Sequence, residues 1–314
     1  MCNKIPCKKY RLSGFFHLLL VLLLTIAPSM VLAQQQDADR ALFWLIQKND
    51  QVAGYLLGTI HSEDPRVLDF SEQFLSKLTS NDVFAMELVP DLSTLSRLTE
   101  YMHYPPGQTL ESVIGEDRFV TLVSALSGFS IAPELINRMK PWAAMMTLST
   151  PPPETGFFMD LSLSLRASGS GLKVVGLETL EQQLSFLQNM SLPMQLSLLD
   201  QAIAEYHQVS EVHARMVDAY LENDLVDLQV LSNEQLQAVG EKARDYFIKS
   251  GIHARNHRMA NSLLPHLETN TVFVAVGALH LPGEEGLLNI LRQQGFKLSP
   301  LDIPFNEASL PATQ

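Results

Sequence analysis

The chain contains almost no cysteine. Among its 314 residues only Cys2 and Cys7 are cysteines, and both lie close to the N-terminus. The rest of the chain therefore has no thiol for a disulfide, a catalytic nucleophile or a metal ligand. A zinc–thiolate site and a cysteine protease are excluded for everything that follows Cys7.

Basic residues and several well-known catalytic motifs are also scarce or missing. The chain has 22 Lys and Arg against 34 Asp and Glu, which gives a formal net charge of −12. An acidic protein gains nothing from the counterion release that drives nucleic-acid binding, so we expect no nucleic-acid partner. The sequence lacks the Gly-x-Ser-x-Gly elbow of serine esterases, and it lacks a phosphate-binding loop with its lysine.

The N-terminal segment has the pattern of an export signal. Four basic residues precede an apolar run, Phe15–Ala27. Residues with small or medium-sized side chains, ending in Ala33, then precede Gln34. The run is shorter than the ~20 residues that span a bilayer. We therefore predict that residues 1–33 are a signal peptide cleaved near Ala33, so that the protein is periplasmic or secreted. The alternative is an uncleaved anchor, which would be the membrane contact of the protein. Cleavage removes four basic residues and no acid, and it moves the formal net charge from −12 to −16.

Short apolar runs alternate with segments of helical periodicity. Nearly continuous apolar character is typical of strands buried on both faces of a sheet. The predicted strands are 42–48 and 51–57, joined by a turn at Asn49-Asp50, then 54–61, 82–88, 172–178, 271–281 and 296–303. This pattern predicts an α/β (α+β) fold with a central mixed, largely parallel sheet and flanking helices.

The predicted domain organisation follows from the same pattern. We expect a single domain over residues 34–303, with a helical insertion at about 180–267 and a frayed C-terminal tail over 304–314. Pro151–Pro153 is predicted to be a stiff connector and the clearest internal breakpoint. Helix start and stop signals are expected at Pro133, Pro141, Pro193 and Pro265.

Four of the predicted strands have a potential metal ligand or acid–base group at or next to their ends. These residues are His61, Glu87, Glu178 and His280. Ligand sites of open α/β sheets lie beyond the carboxyl ends of the strands, so these side chains are expected to converge there. A glycine stands three residues before each histidine and allows a close approach of neighbouring atoms.

Imidazole and carboxylate together favour a divalent metal such as Mn, Zn, Co or Fe. His61, His280 and Glu87 would form an open site of two histidines and one carboxylate, able to activate a bound water. Glu178 is a further ligand or a general base. The structural alternatives are histidines that are simply satisfied polar residues, a helix cap at Glu87 and a helix-entry acid at Glu178.

Blocks throughout the chain resemble the TraB/GumN family, which is related to the Tiki metalloproteases. The resembling blocks are WLIQKNDQVAGYLLGTIHSEDPRV, MEL, MKPWAAM, GFFMDLSL, KVVGLETLEQQ, RNHRMA and VAVGALHLPGEEGLLNILRQQG. The resemblance runs from about Leu42 to Leu301. It implies the fold shared with erythromycin-esterase and ChaN-like proteins and a metal-dependent hydrolytic site. By position, His61, His280 and Glu87 match the histidines and glutamate of the family, and Arg255 matches an arginine on the helix before the last core strand.

The leading functional prediction is metal-assisted hydrolysis of an amide or peptide bond, with a peptide or small molecule as substrate. Glu87 and Glu178 would act in catalysis, and Arg255 would hold substrate or an oxyanion. Arg255 and Arg258 could instead form ion pairs with acids, and Asp160 could belong to the site or open a helix. The alternative function is a non-catalytic periplasmic protein that binds a peptide, a metal or haem, or that assists polysaccharide export.

Overall fold

The apolar runs of the sequence form the strands of one sheet. The structure is a computed structural model that describes residues 40–302 and 304–310, and the chain from Ala41 onward forms one compact unit. The strands are β1 (Phe43–Lys48), β2 (Gln51–Thr59), β3 (Val83–Met86), β4 (Lys173–Gly176), β5 (Val272–Gly277) and β6 (Lys297–Pro300). The predicted signal peptide lies outside the described residues.

The sheet is mixed and has a parallel half. Within the described residues its order is β4-β3-β5-β2-β1-β6. Strands β4, β3, β5 and β2 are parallel to one another, whereas β1 is antiparallel to both β2 and β6. At the β1–β2 turn Asn49 and Asp50 have φ angles of 51° and 58°, a left-handed conformation that these two residue types tolerate. The predicted α/β fold and its opening hairpin are confirmed.

Some helices pack against the sheet, and others pack with one another in a separate helical layer. Their bounds are α1 Pro65–Leu68, α2 Glu72–Thr79, α3 Leu92–Met102, α4 Leu110–Ile114, α5 Glu116–Ala125, α6 Pro133–Ile136, α7 Pro141–Leu148, α8 Met159–Gly169, α9 Leu180–Gln188, α10 Leu192–Glu205, α11 Val209–Leu221, α12 Leu225–Ala238, α13 Glu241–Tyr246, α14 Ala254–Thr269 and α15 Leu287–Gln293. A π-helical segment, Phe247–His253, leads into α14. Among the described residues, no helix is long and apolar enough to cross a bilayer.

Two separate hydrophobic cores underlie this arrangement. The sheet core contains most of the strand residues together with α8 and α14, and Phe43, Phe84 and Phe273 are buried in it. The helical core is formed by residues from 110–148 and 180–199, with Ala243. In it α10 packs on α7.

The predicted helical insertion at 180–267 is divided between the two cores. Helices before residue 149 share the helical core with those after residue 180, whereas α14 packs on the sheet. Periodicity shows that a helix is amphipathic, but it does not show which core its apolar face joins. Pro133, Pro141 and Pro193 begin helices as predicted, but Pro265 lies inside α14.

The segment after β6 is packed rather than frayed over 304–310. Phe305 is buried and stacks on Phe70, with 5.8 Å between the ring centroids. The Asp69 carboxylate accepts hydrogen bonds from the Asn306 amide, at 2.8 Å, and from the Ser309 hydroxyl, at 2.7 Å. The prediction of a frayed tail is wrong here because an aromatic side chain anchors the segment to the sheet core.

Replacing Phe305 with alanine should lower the free energy of unfolding by about 3 kcal/mol, the usual cost of truncating a buried phenylalanine. Phe157→Ala is the matched control, because Phe157 is 53% exposed, and it should change the free energy by less than about 0.5 kcal/mol. Urea unfolding measures both values. Equal stabilities for the two variants would contradict the packed tail.

Candidate functional site

Three of the predicted site residues meet at the carboxyl ends of the parallel strands. Glu87 directly follows β3, and Glu178 lies two residues after β4, the neighbour of β3. The Glu178 amide donates to the Glu87 carbonyl at 2.9 Å, which keeps the two chains paired beyond the strands. His280 lies in a 3-10 turn, Ala278–His280, that begins where β5 ends. The convergence of Glu87, Glu178 and His280 agrees with the prediction from strand ends.

The Glu87 carboxylate is held on both of its oxygens. Oε1 accepts the Gly277 N–H at 2.7 Å, and Oε2 accepts from Arg255 Nη2 at 2.5 Å and from Gln183 Nε2 at 3.3 Å. Burial works against the charge of Glu87, but His280, Arg255 and the Gly277 N–H outweigh it, so its pKa lies below the usual range. Glu87 is therefore an ionised, fixed carboxylate at neutral pH.

The glycines of the two Gly-x-x-His segments are needed for close approach. A Cβ at Gly277 would lie 3.2 Å from Glu87 Oε1, and a Cβ at Gly58 would lie 2.9 Å from the Ala278 Cα. Gly58 thus allows β2 to pack against the turn that carries His280, and Gly277 lets its amide reach Glu87. Both glycines therefore allow the close approach of neighbouring atoms that the sequence analysis predicted.

Arg255 and Arg258 on α14 bind the second carboxylate, Glu178. The Glu178 side chain has no exposed surface, and Arg255 Nε donates to its Oε2 at 2.7 Å. Arg258 Nη2 donates to the other oxygen at 3.2 Å. Arg255 thus bridges Glu87 and Glu178, which is the ion-pair alternative of the sequence analysis. With both oxygens bound by guanidinium groups, Glu178 is placed to hold the arginines, and its predicted role in proton transfer has no support in this arrangement.

The alternative that made Glu87 a helix cap is wrong, whereas Glu178 does lie at a helix entry, one residue before the cap of α9. Asp91 caps α3 by accepting the Thr94 N–H, and Thr179 caps α9 in a capping box with Gln182. Because those positions are filled, the two glutamates are free of a capping role.

His280 is a buried imidazole with a defined tautomer. Its Nδ1 lies 2.6 Å from Asn256 Oδ1, and the Asn256 amide nitrogen donates to the Glu285 carbonyl at 2.6 Å. Since the Asn256 nitrogen is used on that carbonyl, its oxygen faces Nδ1, which must carry the proton. Burial lowers the pKa of His280 to about 4, Glu87 opposes this shift and Arg255 adds to it. At neutral pH Nε2 therefore has a lone pair, and it lies 3.7 Å from Glu87 Oε1.

His61 has a different environment from His280. Its side chain is 62% exposed, and its ring stacks on Phe158 with 3.9 Å between the centroids. Nδ1 lies 3.9 Å from Asp160 Oδ2, and the other Asp160 oxygen accepts the Thr59 hydroxyl at 2.7 Å. Asp160 thus lies near His61 and also in the first turn of α8. The two alternatives from the sequence, a residue near the site and an acid that opens a helix, are therefore compatible.

His61 lines a cleft of about 280 Å³. One wall of this cleft is the predicted connector Pro151–Pro153. The Glu63 carboxylate holds the end of that connector by accepting the backbone N–H groups of Glu154, Thr155 and Gly156. The connector lies within one compact unit, so it is the wall of a cleft and not a domain boundary.

The three predicted metal ligands do not form one group. Within residues 40–302 and 304–310, no three His, Cys, Asp or Glu side chains are arranged to hold a metal ion. Glu87 and His280 face each other, whereas His61 is turned to Phe158 and Asp160. The chemistry of the Glu87–His280 pair fits a divalent ion, because it offers one carboxylate oxygen and one imidazole lone pair. His61 does not join that pair in this arrangement.

Asn256 is the main site residue that the sequence analysis missed. On α14 the buried residues Arg255, Asn256, Met259, Ala260 and Leu263 share one stripe. Two polar residues on an otherwise apolar stripe must find buried partners, and this is the signal that could have revealed Asn256. His253 and His257 are four residues apart at the start of α14, but in the described part of the chain they belong to no metal-binding group, and His257 Nε2 lies 2.5 Å from Glu285 Oε2 on the surface.

Arg255→Met should lower the free energy of unfolding by about 3–5 kcal/mol, because it leaves two buried carboxylates without their shared cation. Arg258→Met is the matched control. Its guanidinium contacts Glu178 without bridging to Glu87, and its side chain is 33% exposed, so the loss should be much smaller. Chemical denaturation of both variants measures the difference, and a smaller loss for Arg255→Met than for Arg258→Met would contradict the bridge.

The stability of the protein should fall as the pH is lowered from about 6.5 to about 4. In this window an unfolded His280 is protonated while the folded one is neutral, so the unfolded state binds more protons. The loss is on the order of 3 kcal/mol at the acidic end. Urea unfolding at pH 7 and pH 4.5, with a chelator present, should show a steeper loss for the native protein than for His280→Gln. His257→Gln, at an exposed position, should keep the native dependence.

Comparisons with known proteins find relatives over most of the chain. The chain is 24% identical to Metalloprotease TIKI1 of Danio rerio, over 88% of this chain and 66% of that protein. It is 24% identical to Metalloprotease TIKI2 of Xenopus tropicalis, over 85% of this chain and 61% of that protein. The chain thus spans less than two thirds of the length of these relatives.

A bacterial relative is matched over most of its length. Uncharacterized protein YbaP of Escherichia coli (strain K12) is 27% identical, over 76% of this chain and 87% of that protein. No solved structure matches the chain. The TraB/PrgY/gumN family model matches residues 42–300, and the chain therefore belongs to the TraB/PrgY/gumN family.

Proposed function

We propose that this protein is a metal-dependent hydrolase that cleaves amide bonds in peptides. The observation that carries the proposal is the pair formed by Glu87 Oε1 and His280 Nε2, which lie 3.7 Å apart at the carboxyl ends of β3 and β5. The relatives that are named metalloproteases support the same reaction class. A divalent ion such as Mn, Zn, Co or Fe, held by these two atoms, would polarise the carbonyl and activate water.

The residues around this pair orient it. Asn256 fixes the tautomer of His280, so that Nε2 presents its lone pair towards Glu87. Arg255 and the Gly277 N–H fix the two oxygens of Glu87, and Glu178 in turn fixes Arg255. Such surrounding hydrogen bonds commonly set ligand orientation and affinity. Arg255, Glu178 and Asn256 are positioning residues in this proposal.

Two exposed groups would contact the substrate. Arg258 has a third of its side chain exposed, and it would bind a developing oxyanion or a substrate carboxylate. His61 is exposed beside Asp160, and it would carry the proton from the attacking water to the leaving amine. Thr59, two residues before His61, is registered with Gly277 of β5, so both histidines follow neighbouring strands at one sheet edge.

Metal content of the purified, untagged chain tests this assignment. We expect about one divalent ion per chain, with at least about tenfold weaker retention in His280→Ala and Glu87→Gln, because each variant removes one donor atom. The His61→Ala variant distinguishes the two possible roles of His61, namely proton carrier and metal ligand. Retained metal with lost turnover supports proton transfer, and lost metal supports the originally predicted third ligand.

Cleavage of a fluorogenic peptide library, with each of the four metals added, measures the activity. Removal of the metal by EDTA should abolish cleavage, and the metal should restore it. His257→Ala is the matched control, because this exposed histidine pairs only with Glu285 on the surface, and it should keep metal and activity. Saturable peptide binding with no product would contradict the proposal and favour a non-catalytic binding protein.

We also propose that the protein is exported. The basic and apolar pattern of residues 1–33 supports export, and this segment lies outside the described residues. N-terminal mass spectrometry of the protein from a periplasmic extract should find Gln34 as the first residue. An intact N-terminus in the membrane fraction would indicate the anchor instead.

A further inference from the structure

A second cavity, apolar in character, lies in the helical layer. Its volume is about 310 Å³, at the lower end of the roughly 300–1,000 Å³ that ligand pockets occupy. Helices α7, α10, α11 and α12 contribute most of its walls. The lining residues include Met145, Met146, Ala202, Val212, His213 and Met216.

The cavity lies at the junction of the two hydrophobic cores. Met145 and Leu198 belong to the helical core, whereas Met216 packs against the sheet core. Residues that belong to both cores therefore line the same space. Ligand sites are common between packed helices.

This apolar cavity lies beside the cleft that holds His61. His213 lines both spaces, and its Nε2 lies 3.4 Å from the His61 carbonyl oxygen. Ser149 lines the apolar cavity and the next residue, Thr150, lines the cleft. A substrate in the cleft therefore has the apolar cavity beside it.

The lining chemistry restricts what the cavity can hold. Among the described residues, no lysine or arginine lines either space, so a carboxylate or phosphate head group would find no cationic partner there. Met145, Met146 and Met216 supply flexible, polarizable walls that adapt to apolar groups of different shape. An uncharged, bulky apolar group fits these walls best.

We propose that the apolar cavity is a specificity pocket, which receives a bulky apolar side chain of a peptide whose backbone lies in the His61 cleft. The proposal rests on the proposed peptide hydrolysis and adds the substrate class, namely peptides with Phe, Leu or Met next to the cleaved bond. Met146, Val212 and Met216 are then specificity-determining residues.

Binding can be measured without turnover. The protein is labelled with ¹³C at the methionine methyl groups, and N-acetyl-phenylalaninamide, N-acetyl-leucinamide and N-acetyl-alaninamide are added in turn. The phenylalanine and leucine compounds should shift the signals of Met145, Met146 and Met216 and leave that of the fully buried Met259 unchanged. The alanine compound should bind at least about tenfold more weakly, because it buries much less apolar surface. Equal shifts with all three compounds, or tighter binding of decanoate, would overturn the proposal.

Variants that fill the cavity with a larger side chain provide a second test. Ala202→Phe and Val212→Phe should abolish these shifts, and thermal unfolding identifies any variant that fails to fold. Val230→Phe, on the exposed face of α12, is the matched control and should bind as the native protein does. Unchanged binding in the folded cavity variants would refute the pocket.

The same N-acetyl amino acids, with a fluorogenic amine in place of the simple amide, are substrates that distinguish this proposal from the proposed function. Cleavage that prefers phenylalanine at least about tenfold over alanine, and that loses this preference in the cavity variants, supports both. Methionine shifts without any cleavage would keep the pocket and reject hydrolysis. Cleavage without preference and without shifts would reject the pocket alone.

Discussion

The bridge that Arg255 makes between Glu87 and Glu178 is the interaction on which the candidate site depends. Two carboxylates follow adjacent parallel strands, and without a shared cation their charges would repel each other in a poorly solvated place. Because α14 is packed in the sheet core, Arg255 reaches both acids from a rigid support. The bridge therefore ties β3, β4 and α14 together at the edge of the sheet where the chemistry is expected.

Small residues and neighbouring polar groups then determine how closely the functional atoms approach. Gly277 brings its amide to Glu87, and Gly58 lets β2 pack against the turn of His280. Asn256 fixes the other side of His280 through a hydrogen bond to Nδ1. The result is one imidazole nitrogen and one carboxylate oxygen with defined orientation, and these are the requirements of either a metal pair or a proton-transfer pair.

The two Gly-x-x-His segments are alike in sequence and different in surroundings. His280 is buried beside Glu87 and Arg255, and its pKa falls to about 4. His61 lies at the surface, stacked on Phe158 and near Asp160, and it lines a cleft that has an apolar cavity beside it. This contrast is the basis for the different roles in the proposed function, in which the buried histidine would be held in place and the exposed one would contact the substrate.

Local patterns alone determined the strands, the opening hairpin, the α/β class and the convergence of Glu87, Glu178 and His280, because apolar runs and parallel strand ends fix these features. The tertiary structure decided the rest. It joined helices from both sides of residue 149 in one core, packed Phe305 on Phe70, paired Glu178 with two arginines and turned His61 towards Phe158. Each of these outcomes depends on contacts between residues far apart in the chain, and periodicity and spacing along the sequence carry no information about such contacts.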